Sequence, residues 1–364
     1  MEKEKINIAI IGAGAIARRA HLPAWKTIPD ANVSCIVDVD QNLAQKVAAE
    51  FDVDRTTDDI QMVLDDSSIE ILDVCTPTPT HHKIMLDAIE AGKHIICEKP
   101  LTSSLKDSID IYNKYRENTE KRKISLIYNW RYQDNIREAL NRRLGKKPVG
   151  DYISLHGTAF SHIPVGWTSN TWLYHESAVL YDFTPHLIDA VQWLVDKPAG
   201  TVFAHGKEFT ENAKFLSSAQ IIIKYENGPT AILDTSWEIN SNQFNIDVYG
   251  NCGHLHIDFK RDNFFEFHGA MTPLDELRCF VKKMKNIANG IVRKNISTKM
   301  LLAYRPLFNN FIQAIKEDNE SPMPIEREIW VGTILEAAKI SIKEGNPISC
   351  RELLTNVRDL HKNS

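Results

Sequence analysis

The chain has 364 residues, more than one typical hydrophobic core accommodates and enough for two domains. Its composition, with 43% hydrophobic and 25% charged residues, is that of an ordinary globular protein. A net charge of -5 with both signs interspersed argues against a nucleic-acid partner, and no apolar run reaches the ~20 residues of a membrane helix.

The first part of the chain alternates short apolar runs with amphipathic segments. The runs are rich in β-branched residues, as strands buried on both faces of a parallel sheet require. They are Ile6–Ile11, Val33–Val37, Ile69–Val74, His94–Cys97 and Ile124–Ile127. The segments with helical periodicity are Ala15–Thr27, Gln41–Phe51, His82–Ala91 and Leu105–Arg116. This βαβα order predicts an α/β domain, a doubly wound parallel sheet of the Rossmann type, over residues 1–130.

The pattern changes after Arg131. A predicted helix, Asn135–Leu144, precedes longer runs of alternating polarity, typical of antiparallel strands with one covered face. These runs are Tyr152–Phe160, Ile221–Tyr225, Thr230–Glu238, Phe244–Tyr249 and His254–Phe259. Helical periodicity follows from Thr272 to about Lys316 and over Glu326–Lys343, before a short tail. We therefore predict an α+β domain with a large open, mostly antiparallel sheet over residues 131–364, whose late helix can pack back toward the first domain.

A glycine-rich loop follows the first predicted strand. The loop has the pattern G-x-G-x-x-A and consists of Gly12, Ala13, Gly14, Ala15, Ile16 and Ala17. Gly12 permits a tight turn, Gly14 lets the backbone approach a pyrophosphate, and Ala17 allows the helix to pack closely on the strand. The motif alone is a weak signal, but its place at the start of a βαβ unit predicts a dinucleotide-binding loop.

Asp38 ends the second predicted strand, at the usual distance from the glycines for an acid that binds ribose. Its carboxylate can accept hydrogen bonds from the adenosine ribose and would repel a 2′-phosphate. We therefore predict NAD as the cofactor, in preference to NADP. A turn aspartate is the alternative reading, and Asp40 suits the N-cap of the next helix.

Three further motifs complete the pattern. Thr76–His81 follows the third predicted strand, Glu98–Pro100 follows the fourth, and Asp182–His186 lies in the second domain. Together with the glycine-rich loop, they resemble the glucose–fructose oxidoreductase / inositol dehydrogenase (Gfo/Idh/MocA) family over essentially the whole chain. The resemblance implies an NAD(P)-dependent dehydrogenase acting on CH–OH groups of a sugar or polyol, assembled as a homodimer or homotetramer.

The resemblance also implies a role for each matching residue. Those implied to bind the cofactor are Gly12, Ala13, Gly14, Ala15, Ile16, Asp38, Thr76, Pro77, His81, Glu98 and Lys99. Those implied to bind or border the substrate are Lys99, Arg131, Trp172, Asp182 and His186. Lys99, Asp182 and His186 form the implied catalytic set. The chain departs from the family at His175–Ala178, where many members have glycines, and bulkier side chains there would reshape the substrate pocket.

These residue types suit the oxidation of a secondary alcohol, in which oxygen loses a proton while carbon loses a hydride. Lys99 follows a buried strand, where burial and the positive charge of oxidised nicotinamide both favour the neutral amine. Thr184 and Pro185 predict an N-cap and a first helical residue, which puts His186 in the first helical turn. The helix dipole there favours a neutral imidazole that can accept a proton. Asp182 can orient either base, and the division of work among the three stays open.

Several alternatives stay open. The same scaffold can oxidise a substrate transiently to assist elimination or glycoside cleavage, or it can bind a dinucleotide as a sensor without catalysis. A metal site made of His162, His175 and His186 is a weaker alternative, because their spacing is not that of a zinc site. We predict no metal.

The cysteines and the N-terminus indicate a location. Six cysteines are scattered with no Cys-x-x-Cys pair, so neither a zinc ribbon nor a disulfide framework is predicted. The segment Met1–Lys5 leads directly into the first strand, so we expect no signal peptide. A cytoplasmic protein with reduced thiols is expected.

Overall fold

The computed structural model describes residues 5–117, 122–144, 149–162, 178–207, 215–260, 263–269, 272–292 and 296–362. The chain forms two compact units: Met1–Tyr132 with Asn295–Ile329, and Gln133–Lys294 with Trp330–Ser364. The first unit thus contains a late segment that chain order assigns to the second domain. This late segment belongs to the first unit because its apolar side chains pack there. Leu307, Phe308 and Phe311 are fully buried in one core with Ile8 and Ile10.

The strands lie close to their predicted positions. In chain order they are β1 (Ile6–Ile11), β2 (Ala31–Val37), β3 (Arg55–Thr57), β4 (Ile71–Val74), β5 (His94–Cys97), β6 (Ile124–Leu126), β7 (Tyr152–Phe160), β8 (Ala199–Lys207), β9 (Ser218–Tyr225), β10 (Thr230–Ser236), β11 (Gln243–Gly250), β12 (Gly253–Asp258), β13 (Asn263–His268) and β14 (Ile348–Ser349). The sequence did not predict β3, β8, β13 or β14. β3 and β14 are very short edge strands, and β8 carries two glycines that weaken a strand pattern.

The helices complete the two units. In chain order they are α1 (Leu22–Trp25), α2 (Gln41–Phe51), α3 (Gln61–Leu64), α4 (His81–Glu90), α5 (Leu105–Glu117), α6 (Asp134–Leu144), α7 (Ala178–Tyr181), α8 (Thr184–Val195), α9 (Pro273–Val292), α10 (Ile296–Lys316), α11 (Ile325–Glu344) and α12 (Cys350–Lys362). The expected short tail is wrong, because α12 occupies it. The segment is strongly amphipathic, with Cys350 and Leu354 buried and Arg351 exposed, so its helical pattern was present in the sequence and was missed. No helix within the described ranges is both long and apolar enough to cross a lipid bilayer.

The first unit is built on a six-stranded parallel sheet with strand order β3-β2-β1-β4-β5-β6. This is the order of a dinucleotide-binding Rossmann sheet, in which ligands bind at the carboxyl ends of the strands. Strands β4 and β5 are buried at every residue, as a sheet covered on both faces requires. The predicted doubly wound parallel sheet is confirmed.

The second unit is built on an eight-stranded sheet with order β13-β12-β11-β7-β10-β9-β8-β14. Its pairs are antiparallel except β7 with β10, so the predicted mostly antiparallel sheet is also confirmed. Helix α8 covers one face closely, since a Cβ built on Gly157 of β7 would lie 2.9 Å from Leu187. The opposite face carries a row of half-exposed apolar side chains across β8, β9 and β10.

Candidate active site

The glycine-rich loop is a tight turn at the carboxyl end of β1. Gly12 has φ +99° and donates its N–H to the Val37 carbonyl at 2.7 Å. A Cβ at Gly12 would lie 3.0 Å from Thr76, whereas a Cβ at Gly14 would meet no atom within 4 Å. The backbone at Gly14 therefore borders open space, as the approach of a pyrophosphate requires. Ala17 is completely buried, which agrees with its predicted contact between helix and strand.

The segment after this loop does not begin as the regular α-helix that was predicted. Residues Ala17–His21 form a π-helical turn, and α1 follows it. Turns of this kind are rare and frequently mark functional sites. The turn buries Ala20 and His21 in the first unit.

Asp38 lies beside the glycine-rich loop and is bonded to it. Its Oδ2 accepts the Ala13 N–H at 2.7 Å, and its Oδ1 accepts the Asp40 N–H at 2.9 Å. The predicted N-cap role of Asp40 is confirmed, since its Oδ1 accepts the N–H groups of Asn42 and Leu43. The Asp38 carboxylate is only partly buried, so it fixes the loop and still faces solvent, where a ribose could bind.

The turn after β4 is tied to the turn after β5 through His81. The His81 ring is completely buried, with Nε2 2.9 Å from the Thr76 carbonyl and Nδ1 3.2 Å from the Pro100 carbonyl. Burial lowers the pKa of His81 below its usual value, against the opposing effect of the hydrogen bonds to these carbonyl groups. Pro77 precedes a short 3₁₀ turn, Thr78–Thr80. The His81 ring thus faces protein carbonyl groups and holds two neighbouring turns together.

Glu98 and Lys99 follow β5 directly. Glu98 is 8% exposed, and its Oε2 accepts the backbone N–H of Lys99 at 3.1 Å, while the Lys99 side chain is half-buried. The chain beyond them is also fixed, because the Leu101 N–H donates to the buried carboxylate of Glu328 at 3.1 Å. Arg131 is buried in a 3₁₀ turn, Asn129–Tyr132, of the same unit.

Asp182 and His186 lie at the start of α8 in the second unit, and both are 8% exposed. The Trp237 indole N–H donates to Asp182 Oδ2 at 3.2 Å. His186 lies in the first turn, as predicted, and Pro185 occupies the first turn as well. The N-cap prediction for Thr184 is wrong: Phe183 is the N-cap, and the Thr184 hydroxyl instead donates to the Val179 carbonyl at 2.8 Å.

The structure therefore brings part of the predicted set together. The glycine-rich loop, Asp38, the Thr76 turn and the Glu98–Lys99 turn lie at the carboxyl ends of β1, β2, β4 and β5, which are neighbours in one sheet. Asp182 and His186 lie in the other unit. Trp172 and the His175–Glu176 departure fall outside the described residues.

Sequence reasoning missed three buried polar residues behind Glu98, namely His21, Asp73 and Tyr304. One signal was available for Asp73, a carboxylate inside the apolar run Ile71–Val74. A charged residue in a strand buried on both faces needs a partner, and that partner comes from elsewhere in the chain.

Comparison with known proteins agrees with this fold. Residues 6–124 match a family model described as an oxidoreductase family with an NAD-binding Rossmann fold, and residues 138–256 match the GFO/IDH/MocA C-terminal domain. The chain is 23% identical to a myo-inositol 2-dehydrogenase of Thermotoga maritima, over 77% of this chain and 89% of that one. It is 22% identical to a scyllo-inositol 2-dehydrogenase (NADP(+)) of Bacillus subtilis, over 95% and 96% of the two chains.

A solved structure extends the comparison to the whole fold. Levoglucosan dehydrogenase in complex with NADH and levoglucosan superposes with a TM-score of 0.79 at 19% identity. The match covers 95% of this chain and the whole of the other, 100%. At this identity the likeness establishes the fold.

Proposed function

The chain belongs to the Gfo/Idh/MocA oxidoreductase family, and from that premise we propose that it moves a hydride between NAD and a secondary hydroxyl of a sugar, polyol or related cyclic compound. The observation that carries the proposal is the joint position of the glycine-rich loop and the Glu98–Lys99 turn. Both lie at the carboxyl ends of strands β1 and β5 in a Rossmann sheet, where ligands of such sheets bind.

The residues of the first unit fit a dinucleotide. Open space at Gly14 suits a pyrophosphate, and the half-buried carboxylate of Asp38 suits ribose hydroxyls. When bound, NAD supplies the nicotinamide ring that accepts or returns the hydride. Lys99 would bind the reacting hydroxyl and, with His186, take its proton, while Asp182 would orient one of these bases. Arg131 and Trp172 are proposed as substrate contacts on the resemblance alone.

A substrate screen tests this function. We expect that at least one inositol, sugar or anhydrosugar will reduce NAD, seen as the absorbance of reduced nicotinamide. The same substrate should give no signal above background with Lys99→Met, which controls for contaminating dehydrogenases. A protein that binds NAD and consumes substrate with no net reduction would instead act by transient oxidation. A protein that binds NAD and transforms no compound in either direction would contradict the enzyme proposal in favour of a sensor.

The outer face of the sheet in the second unit supports a homo-oligomer, either a dimer or a tetramer. Phe203, Ile222 and Ile232 are direct cross-strand neighbours on β8, β9 and β10 and are 38%, 36% and 40% exposed. A row of apolar side chains on an open sheet is stabilised when a partner covers it. A second copy of this chain would do so around a twofold axis.

Light scattering checks the assembly. We expect a mass of two or four times 41.4 kDa, and we expect Ile222→Glu to lower it because a charge would be buried in the interface. Met62→Glu is the matched control, since it places the same charge on a 57% exposed apolar side chain of the first unit. A wild-type chain that runs only as the monomer at micromolar concentration contradicts the proposal.

A cytoplasmic location is part of the same proposal. All six cysteines are free thiols, and four of them are buried. Reduced thiols of this kind are typical of a reducing compartment.

A further inference from the structure

A chain of buried charged groups lies behind the Glu98–Lys99 turn. His21 and Asp73 have no exposed surface, and the two oxygens of Asp73 each lie 2.9 Å from His21 Nδ1. His21 Nε2 lies 3.0 Å from Glu98 Oε1. Tyr304 donates its hydroxyl to the same Glu98 oxygen at 3.0 Å, and the Trp25 indole donates to Asp73 at 2.7 Å. The four groups Asp73, His21, Glu98 and Tyr304 are called the buried network below.

The geometry fixes the charge of the imidazole. Each nitrogen of His21 faces a carboxylate oxygen, so each has to carry a proton. Burial opposes the imidazolium, but the neighbouring Asp73 carboxylate outweighs it and raises the pKa of His21 well above its usual value. Burial alone would raise the pKa of Glu98, but the hydrogen bond from His21 outweighs it and lowers that pKa. Two carboxylates and one imidazolium leave one net negative charge beside Lys99.

A metal site is the competing interpretation. The ligand atoms of His21, Asp73 and Cys75 lie within 4.8 Å of one another, the one such group among the described residues. Burial raises the pKa of the Cys75 thiol to about 12, so the thiol keeps its proton at neutral pH. Metal ligation needs a thiolate and an unprotonated Nδ1. His21 Nδ1 lies 2.9 Å from both oxygens of the Asp73 carboxylate and 3.1 Å from Cys75 Sγ, and a protonated Nδ1 beside a carboxylate is a donor.

Stability alone does not account for a network of this kind. Desolvating three charges costs much of what their attraction returns, and apolar residues of similar volume often stabilise a core as well. The location suggests a different use. The last acceptor of the network, Glu98 Oε2, holds the backbone N–H of Lys99 at 3.1 Å.

We propose that the buried network is a positioning device for Lys99: it fixes the Glu98 carboxylate against the lysine and so sets where the amine lies and the electrostatic potential around it. The inference rests on the proposed function, in which Lys99 binds the reacting hydroxyl. His21, Asp73 and Tyr304 touch neither cofactor nor substrate in this scheme and act through Glu98.

Tyr304→Phe is the sharpest test, because it removes one hydroxyl and keeps the buried ring in its contacts with His21 and Phe308. The hydroxyl hydrogen, which carries a partial positive charge, points toward the Glu98 carboxylate. Its loss makes the potential at Lys99 more negative and favours the protonated amine. Trace acetylation of Lys99, followed by mass spectrometry across pH, should show a midpoint about half a pH unit higher than in the wild type.

Tyr115→Phe is the matched control. It removes a phenolic hydroxyl from the same unit, one that donates to the Arg122 carbonyl at 3.1 Å outside the network. It should cost no more stability than Tyr304→Phe and leave the Lys99 midpoint unchanged. With a confirmed substrate, Tyr304→Phe should also lower kcat about fivefold to tenfold and leave KM unchanged, while the acidic limb of its pH profile moves upward.

A second measurement needs no variant, since removal of His21 itself could prevent folding. In nitrogen NMR spectra of the 13 histidines from pH 6 to 9, the ring of His21, assigned through its neighbours Tyr304 and Phe308, should keep both protons throughout. His94 is the internal reference for a neutral ring, because its Nδ1 accepts the Lys123 N–H and its pKa is lowered to about 4, mainly by burial.

The outcomes separate the two proposals. A Lys99 midpoint that is the same in Tyr304→Phe and the wild type overturns the positioning role. A His21 ring that carries only one proton at pH 8, or a stoichiometric metal in the purified protein, overturns the network itself. If both readouts are as expected and no substrate reduces NAD, the proposed function fails and the network stands.

Discussion

Replacement of Lys99 by methionine is expected to lower turnover by about 10²–10⁴-fold, the usual cost of losing a positioned acid–base group. His186→Ala is expected to cost about the same. Neither residue belongs to the glycine-rich loop or is expected to bind the adenosine ribose, so NAD affinity should stay within about threefold of the wild type. If both bases serve one proton transfer, their effects are not additive, and the double variant should be little slower than the slower single variant.

Lys99→Arg separates charge from basicity. Arginine keeps the positive charge of Lys99 but cannot give up its proton, so it should be as slow as Lys99→Met if the amine acts as a base. Lys106→Met is the control for removal of a lysine, since that side chain is exposed on α5. Steady-state turnover of these variants, with NAD binding by calorimetry, completes the test. Near-normal turnover of both Lys99→Met and His186→Ala on a confirmed substrate would mean that the active site lies elsewhere.

The elements that the sequence predicted best are those whose signal is local. Strand β1 and helix α2 have the predicted bounds, because β-branched runs and helical periodicity are properties of neighbouring residues. The glycine-rich loop was predictable for the same reason, since glycines, strand and helix are contiguous in the chain. Strand β3 has three residues at the sheet edge and offers too little pattern to detect.

The contacts that sequence reasoning missed join distant parts of the chain. His21 meets Asp73 across 52 residues, and Glu98 meets Tyr304 across 206. No spacing rule connects such pairs, because they depend on how the sheet and α10 pack. The π-helical turn that buries His21 was not predictable either, because the sequence pattern of its residues is that of an ordinary α-helix. The candidate catalytic groups were predictable only through family motifs, and of the buried network behind Glu98 only Asp73 left a signal in the sequence.

Asp38 should make the protein prefer NAD to NADP by at least about tenfold in Kd. A tenfold ratio corresponds to about 1.4 kcal/mol, which the loss of one charged hydrogen bond can supply, and repulsion of the 2′-phosphate adds to it. The family leaves this choice open, since the Bacillus subtilis relative named above uses NADP. The structure adds a complication for any variant, because Asp38 Oδ2 also accepts the Ala13 N–H at 2.7 Å. Truncation would loosen the loop as well as remove the charge.

Asp38→Asn reduces that complication. The single amide oxygen of asparagine can still accept the Ala13 N–H, although the bond from the Asp40 N–H is lost, so the loop keeps its main tie while the charge that repels a 2′-phosphate is gone. We expect the ratio of the two Kd values, measured by calorimetric titration, to fall close to one. Asp40→Asn is the matched control, since it removes the same charge two residues away and asparagine caps a helix as well as aspartate does. It should leave the ratio unchanged. Equal affinity of the wild type for both dinucleotides, or an unchanged preference in Asp38→Asn, would show that Asp38 serves the loop and does not select the cofactor.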